Sequence, residues 1–99
     1  MPELHLALEE GFEDDDVTIA VDGEEVVRAD AVRTRMQTGL ARASDVTVAG
    51  GRHTVTVETR GTSASIDVDV EDELYLGVSL SRSGDAIEHR VSREPFGYV

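Results

Sequence analysis

The 99-residue sequence has no cysteine, no tryptophan and only two prolines. Without cysteine the chain has no disulfide, no thiolate metal ligand and no cysteine nucleophile, so its core must hold the fold together. No apolar run approaches the roughly 20 residues of a membrane-spanning helix, and the first residues lack the basic and apolar regions of a secretion signal. We expect one cytoplasmic domain over residues 1–99, with no membrane contact.

Lysine is absent as well, so all 9 basic residues are arginines, against 21 acidic residues. The net charge of −12 repels the phosphates of nucleic acids and of anionic lipids, which argues against both as partners. A surface this acidic is typical of proteins that work at high salt, where charge repulsion is strongly screened. A GC-rich genome, which replaces lysine by arginine, would also explain the missing lysine.

Apolar and polar residues alternate through most of the chain, and this pattern predicts half-buried strands. The dipeptide Asp22-Gly23 is typical of tight hairpin turns. Gly50-Gly51 predicts a second hairpin turn, and Gly61 and residues 83–85 mark further turns. The segments predicted as strands are 4–8, 17–21, 25–28, 46–48, 52–60, 64–70, 74–80 and 87–91. About eight short strands without a long helical repeat predict an all-β protein, an antiparallel β-sandwich of immunoglobulin-like type.

The segment 29–43 fits two structures. Val32, Met36 and Leu40 lie at helical spacing, but the same residues also alternate as a strand would. We predict an extended segment, because the neighbouring elements all read as strands, and a helix is the alternative.

The same part of the chain is a basic island in an acidic sequence, with four arginines and one acid in 28–42. Guanidinium groups bind carboxylates and phosphates through paired hydrogen bonds. Arg33, Arg35 and Arg42 are therefore candidate contacts for a protein partner. The alternative is that they pair inside the molecule with acidic residues of 13–16 or 67–69.

The predicted turn after the first strand carries four consecutive carboxylates, Glu13, Asp14, Asp15 and Asp16. Calcium prefers six to eight oxygen ligands, so this turn is a candidate cation site, although it lacks the spacing of an EF-hand loop. The alternative is a solvated acidic turn. His5, His53 and His89 lie on three predicted strands, and nothing in their spacing brings them together as zinc ligands.

No serine lies in a glycine-flanked elbow, and no glycine-rich loop precedes a helix as in nucleotide sites. We therefore expect no enzymatic activity and no cofactor. The last residues hold half of the aromatic side chains, Phe96 and Tyr98. Aromatic side chains are frequent interface anchors, so both are candidate partner contacts. The alternative is that they fold back over the open end of the sandwich.

The motif Val-Asp-Gly at 21–23, followed by Gly-Gly-Arg-His-Thr-Val-Thr-Val at 50–57, resembles the small β-sandwich modules of the PEGA type and, more loosely, other immunoglobulin-like add-on domains. The chain departs from that pattern at 28–40, where a proline-containing signature would follow. It also resembles a group of small free-standing β-sandwich proteins of uncharacterised function that end in Pro-Phe-Gly-Tyr, matched at 95–98. Both resemblances imply a sandwich and leave its role open.

Taken together, these observations favour a small non-catalytic protein-interaction or scaffold module. Self-association through sheet edges or the C-terminal tail is one form that this function could take. The alternative is a module that binds a divalent cation or a carbohydrate.

Overall fold

A computed structural model describes residues 2–34, 39–81 and 86–96. These ranges contain eight strands and no helix, which confirms the predicted all-β class. None of the described residues belongs to a helix long and apolar enough to cross a lipid bilayer. The strands are β1 (Glu3–Leu8), β2 (Asp15–Val21), β3 (Glu24–Val32), β4 (Arg42–Thr47), β5 (Gly51–Thr59), β6 (Thr62–Val70), β7 (Glu73–Leu80) and β8 (Ile87–Ser92).

The strands form two four-stranded sheets, which we call sheet A (β4-β1-β7-β8) and sheet B (β3-β2-β5-β6). Five of the six strand pairings are antiparallel, as predicted, but β1 runs parallel to β7. The parallel pair arises because the chain crosses to sheet B twice between β1 and β7. Parallel neighbours require such long connections, whereas antiparallel neighbours are joined by short turns.

The core lies between the sheets and is almost entirely aliphatic. Alternation along each strand turns Leu4, Leu6 and Leu8 inward from β1, and Val55 and Val57 inward from β5. Burial of this apolar surface is the main term that favours folding, because the chain has no covalent cross-link.

Among the described aromatic side chains, Phe12 lies fully within the core. It enters through a tight turn at Gly11, where φ is +90° and a Cβ would collide with the backbone oxygen of Leu80. Glycine is the residue that this turn accepts, because it adopts positive φ freely and leaves room for the neighbouring strand.

Two predicted hairpin turns have the expected geometry. Asp22 and Gly23 have φ of 52° and 84°, and Arg60 and Gly61 have φ of 51° and 71°, so both residues of each turn are left-handed. The turn at Gly50-Gly51 is different from the predicted hairpin. It carries the chain from β4 in sheet A to β5 in sheet B, because β4 pairs with β1 instead.

In the ambiguous segment 29–43, β3 continues to Val32 and β4 begins at Arg42. The extended prediction is therefore correct at both ends of the segment. Residues 35–38 lie outside the described residues, as does the predicted turn at 83–85.

A buried carboxylate lies on the outer face of sheet A. Glu9 is 4% exposed and passes over Gly77 of β7. Arg90 on β8 donates from Nε to Glu9 Oε1 at 3.0 Å and from Nη2 to Oε2 at 2.6 Å. A Cβ at position 77 would collide with Glu9 Oε1, so the glycine makes room for this ion pair.

We therefore predict that Gly77→Ala lowers the free energy of unfolding by about 1–3 kcal/mol, because the added methyl displaces the Glu9 carboxylate from its arginine. In a Glu9→Ala background the same substitution should be neutral or slightly stabilising, because the obstacle is gone and alanine restricts the unfolded chain. Urea unfolding of the four proteins measures both effects. An equal loss in the two backgrounds would contradict this explanation of Gly77.

Candidate functional site

The outer faces of the two sheets differ in chemistry. On sheet B, hydroxyl and carboxylate side chains form short cross-strand pairs, with Thr54 Oγ1 donating to Asp67 at 2.9 Å and Thr56 lying 3.3 Å from Ser65. Such pairs are ordinary for a solvated sheet face. The outer face of sheet A instead carries an imidazole, two aromatic rings and several carboxylates, and it is the candidate functional site.

His5 lies at the centre of this face, on β1, with β4 and β7 on either side. The strand registers place it opposite Asp45 and beside Tyr75. Its Nδ1 is 2.6 Å from Asp45 Oδ1, and its Nε2 is 3.3 Å from Glu73 Oε1 and 3.8 Å from Glu3 Oε2. We call these four residues the histidine cluster; three of its members are carboxylates.

The carboxylates shift the titration of both rings on this face. Partial burial would lower the pKa of His5, but hydrogen bonds to Asp45 and Glu73 and the charges of these two groups raise it above its usual value. Burial raises the pKa of the Tyr75 phenol, and the nearby charges of Glu73, Asp45 and Glu3 raise it further. The phenol therefore stays protonated well above neutral pH.

The rings form a continuous row. His5 and Tyr75 are stacked, with centroids 4.3 Å apart and planes inclined by 14°. The edge of Phe96 meets Tyr75 at a centroid distance of 6.4 Å. The Arg90 guanidinium covers Phe96, with Cζ 3.9 Å from the ring centroid. We call His5, Tyr75, Phe96 and Arg90 the aromatic row; Glu9 holds its arginine end in place.

Phe96 was predicted as a partner contact, and its place in the aromatic row differs from the alternative in which it covers the open end of the sandwich. Tyr98 lies outside the described residues. Arg33 donates from Nη2 to Asp14 Oδ2 at 2.6 Å, which matches the internal pairing that the sequence offered as an alternative. Arg42 is exposed at the start of β4, and Arg35 lies outside the described residues. Partner binding by these residues stays a prediction.

The acidic turn divides its carboxylates among several protein groups. Asp14 pairs with Arg33, and Asp16 Oδ1 accepts the N–H of Ala31 at 3.1 Å. Asp15, only 7% exposed, accepts two hydrogen bonds from Arg60, at 2.5 Å and 2.9 Å.

Burial would raise the pKa of Asp15, but Arg60 and the backbone N–H of Glu13 lower it below its usual value. The turn therefore ties β2 to β3 and to the β5–β6 hairpin through its side chains. Calcium binding by Glu13 and its three neighbours stays a prediction, with three of the four carboxylates already bonded within the protein.

The structure does not bring the three histidines together. His5 lies on the outer face of sheet A, His53 lies on β5 of sheet B, and His89 is exposed on β8. His53 is half-buried, with Nδ1 2.5 Å from Asp22 and Nε2 2.7 Å from the backbone oxygen of Ala49. This is the ordinary structural role of a histidine at the end of a strand.

The histidine cluster was not predicted from the sequence. His5 is an outward-facing residue of a predicted strand, whereas Glu3, Asp45 and Glu73 each lie one residue before a predicted strand. Alternation places His5 two residues from Glu3 and Tyr75 two residues from Glu73. Alternation does not show that β1 pairs with β7. Strands that begin 70 residues apart carry no local signal for their register.

No family model, curated protein or solved structure compared with the chain matches it. The geometry of the outer face of sheet A is therefore the basis for a functional proposal.

The His53–Asp22 pair predicts a pH dependence of stability. The Ala49 carbonyl and Asp22 raise the pKa of His53 in the folded chain above 6.5. The contribution of His53 to the free energy of unfolding is therefore complete below pH 6.5 and is lost as the pH rises through the folded-state pKa. The Thr54 N–H and His53 lower the pKa of Asp22 in the folded chain below 3.8. The contribution of Asp22 to the free energy of unfolding is therefore present above pH 3.8 and is lost as the pH falls through the folded-state pKa.

The difference in unfolding free energy between the wild type and His53→Asn should therefore be larger near about pH 5.5 than near about pH 8.5. Denaturant unfolding at the two pH values measures this difference. His89→Asn, at an exposed position, is the control for loss of an imidazole. A difference that stays constant or grows toward alkaline pH would show that the pair does not titrate as described.

Proposed function

We propose that this chain is a non-catalytic binding domain, and that the outer face of sheet A binds an arginine- or lysine-rich segment of a partner protein. The aromatic row is the observation that carries the proposal. The described residues include three of the four Phe and Tyr side chains, and the two that are not in the core, Tyr75 and Phe96, lie on this face.

The chemistry of the face suits a cationic ligand. A guanidinium or ammonium group is attracted to an aromatic ring face, and paired carboxylates add charge-assisted hydrogen bonds. Arg90 already shows the arrangement within the chain, because its guanidinium covers Phe96 while it binds Glu9 in a bidentate manner. The net charge of −12 would also speed the approach of a basic partner.

A second copy of the chain is the less suitable occupant, because two chains of charge −12 repel each other. His5 and His53 each have a carboxylate at Nδ1, but Nε2 of His5 faces the Glu73 carboxylate and Nε2 of His53 faces the Ala49 carbonyl. Nucleophilic catalysis would need a serine or threonine hydroxyl at that nitrogen. From composition alone we also propose a cytoplasmic location and an acidic surface suited to high salt. The immunoglobulin-like and PEGA-type relationship is likewise a proposal.

The test is a titration of the ¹⁵N-labelled chain with a short peptide of alternating arginine and glycine, observed through amide chemical shifts. The control peptide has citrulline in place of arginine, which keeps the planar shape and part of the N–H donors but carries no charge. We expect the largest shifts on β1, β7 and β8. The citrulline peptide should bind much more weakly, because the cation is what the rings and carboxylates recognise.

Phe96→Leu should weaken binding of the arginine peptide by about fivefold, because leucine keeps apolar bulk and removes the ring face. Thr56→Ala, on the outer face of sheet B, is the matched control and should bind as the wild type does. Shifts spread evenly over both sheets, or equal affinity in Phe96→Leu, would contradict the proposal. Binding of an acidic peptide that Arg33→Ala abolishes would instead favour the basic island as the contact surface.

A further inference from the structure

The histidine cluster brings three potential metal ligands to one point. Nε2 of His5 and one carboxylate oxygen each from Glu3 and Glu73 all lie within 4.8 Å of one another. The distances from Nε2 are 3.3 Å to Glu73 Oε1 and 3.8 Å to Glu3 Oε2. In a tetrahedral zinc site, bond lengths near 2.1 Å place neighbouring ligand atoms about 3.4 Å apart. The side chains therefore need little movement to enclose an ion of that size.

Asp45 lies on the other side of the imidazole, with Oδ1 2.6 Å from Nδ1. When Asp45 accepts the Nδ1 proton, Nε2 faces the Glu3 and Glu73 carboxylates, where it either carries a proton, as in the hydrogen bond to Glu73, or offers its lone pair to a metal ion. A lone pair and two anionic groups repel one another unless a cation or a proton lies between them. Histidine ligands in metal sites are oriented by a carboxylate in the same way.

The backbone fixes this arrangement on three adjacent strands. Glu3 and Glu73 are direct partners in the parallel β1–β7 register, and His5 follows two residues later on the same face of β1. Asp45 is the antiparallel partner of His5 on β4. Sites built on paired strands hold their ligands more rigidly than sites built on loops. The Glu3 and Glu73 side chains are 44% and 54% exposed, so a hydrated ion can reach them.

We propose that Glu3, His5 and Glu73 bind a divalent transition metal of the zinc class, with Asp45 as a positioning residue that holds the His5 ring. An imidazole with two carboxylates suits zinc, whereas calcium prefers six to eight oxygen ligands. Three protein ligands leave at least one coordination position for water. The metal site does not rest on the proposed partner. Both use carboxylates of the outer face of sheet A, but partner binding also needs the Tyr75 and Phe96 rings, which the metal does not contact.

The experiment uses the full chain without a polyhistidine tag. Calorimetric titration with ZnCl₂ should show one ion bound per chain, and CoCl₂ should produce the visible absorption bands of a low-symmetry cobalt site. His5→Asn should abolish both signals, and Glu3→Gln and Glu73→Gln should each weaken zinc binding by at least about tenfold, because each removes one ligand.

Two carboxylate variants are matched controls for loss of negative charge. Glu88→Gln removes a carboxylate from the exposed edge strand β8, and Glu58→Gln removes an exposed one from β5 of sheet B. Both should bind zinc as the wild type does. Asp45→Asn should weaken binding by about 10–100-fold while leaving the cobalt spectrum in place, because the ligand set is intact. If Asp45 only supported the local structure, its substitution would change zinc affinity and the cobalt spectrum together.

Three results would overturn the metal site: no zinc binding by the wild type, undiminished binding by His5→Asn, or several ions per chain that Glu88→Gln weakens equally. Amide spectra of each variant show whether it is folded. Phe96→Leu separates this proposal from the partner proposal, because it should weaken arginine-peptide binding and leave zinc binding unchanged. Either proposal can therefore fail while the other stands.

Discussion

The parallel pairing of β1 with β7 is the interaction on which the rest of the structure depends. It joins the N-terminal strand to the most apolar strand of the chain in the centre of sheet A. The inward side of this pair supplies leucines from both strands to the core. The outward side places Glu3 beside Glu73 and His5 beside Tyr75. One register therefore determines both the packing of the core and the composition of the candidate site.

The second constraint is the small side chain at position 77. Gly77 lets the Glu9 carboxylate lie against the sheet, where it orients Arg90, and Arg90 in turn lies over Phe96. An ion pair of this kind contributes modestly to stability, because Arg90 remains largely exposed. Its main consequence is to hold a guanidinium and an aromatic ring in a defined position. The same contacts hold Phe96 against the outer face of sheet A.

Much of the fold is predictable from local patterns in the sequence. Alternation identifies most of the strands, and Asp22-Gly23 identifies a hairpin turn and the start of β3, because these signals depend on residues close together in the chain. The bounds are less predictable, since β3 extends to Val32 and β4 begins at Arg42, four residues before the predicted segment. The structure of the segment 29–43 is harder to predict, since the spacing of Val32 and Leu40 fits both a helix and a strand. Gly50-Gly51 predicts a hairpin, and this prediction is wrong because a local signal does not show which sheet the next strand joins.

The candidate site is less predictable for a physical reason. Phe96 is predictable as a contact because the last residues hold half of the aromatic side chains, which are frequent interface anchors. His5 was considered as a metal ligand only in combination with the other two histidines, because residues that face outward from one strand do not reveal the neighbour across the sheet. Its carboxylate partners come from β1, β4 and β7. The register of these strands is set by the whole hydrophobic core, and short sequence motifs do not encode it.

The measurement that tests this account most directly is the nuclear Overhauser spectrum of the wild-type chain around His5. The stacked arrangement predicts strong cross-peaks between the imidazole protons of His5 and the ring protons of Tyr75, whose centroids are 4.3 Å apart. A slip of β1 by two residues would keep the same face outward but separate the rings. Cross-peaks from the Tyr75 ring to Glu3 or Ala7, with none to the His5 ring, would contradict the register on which both the core and the site depend.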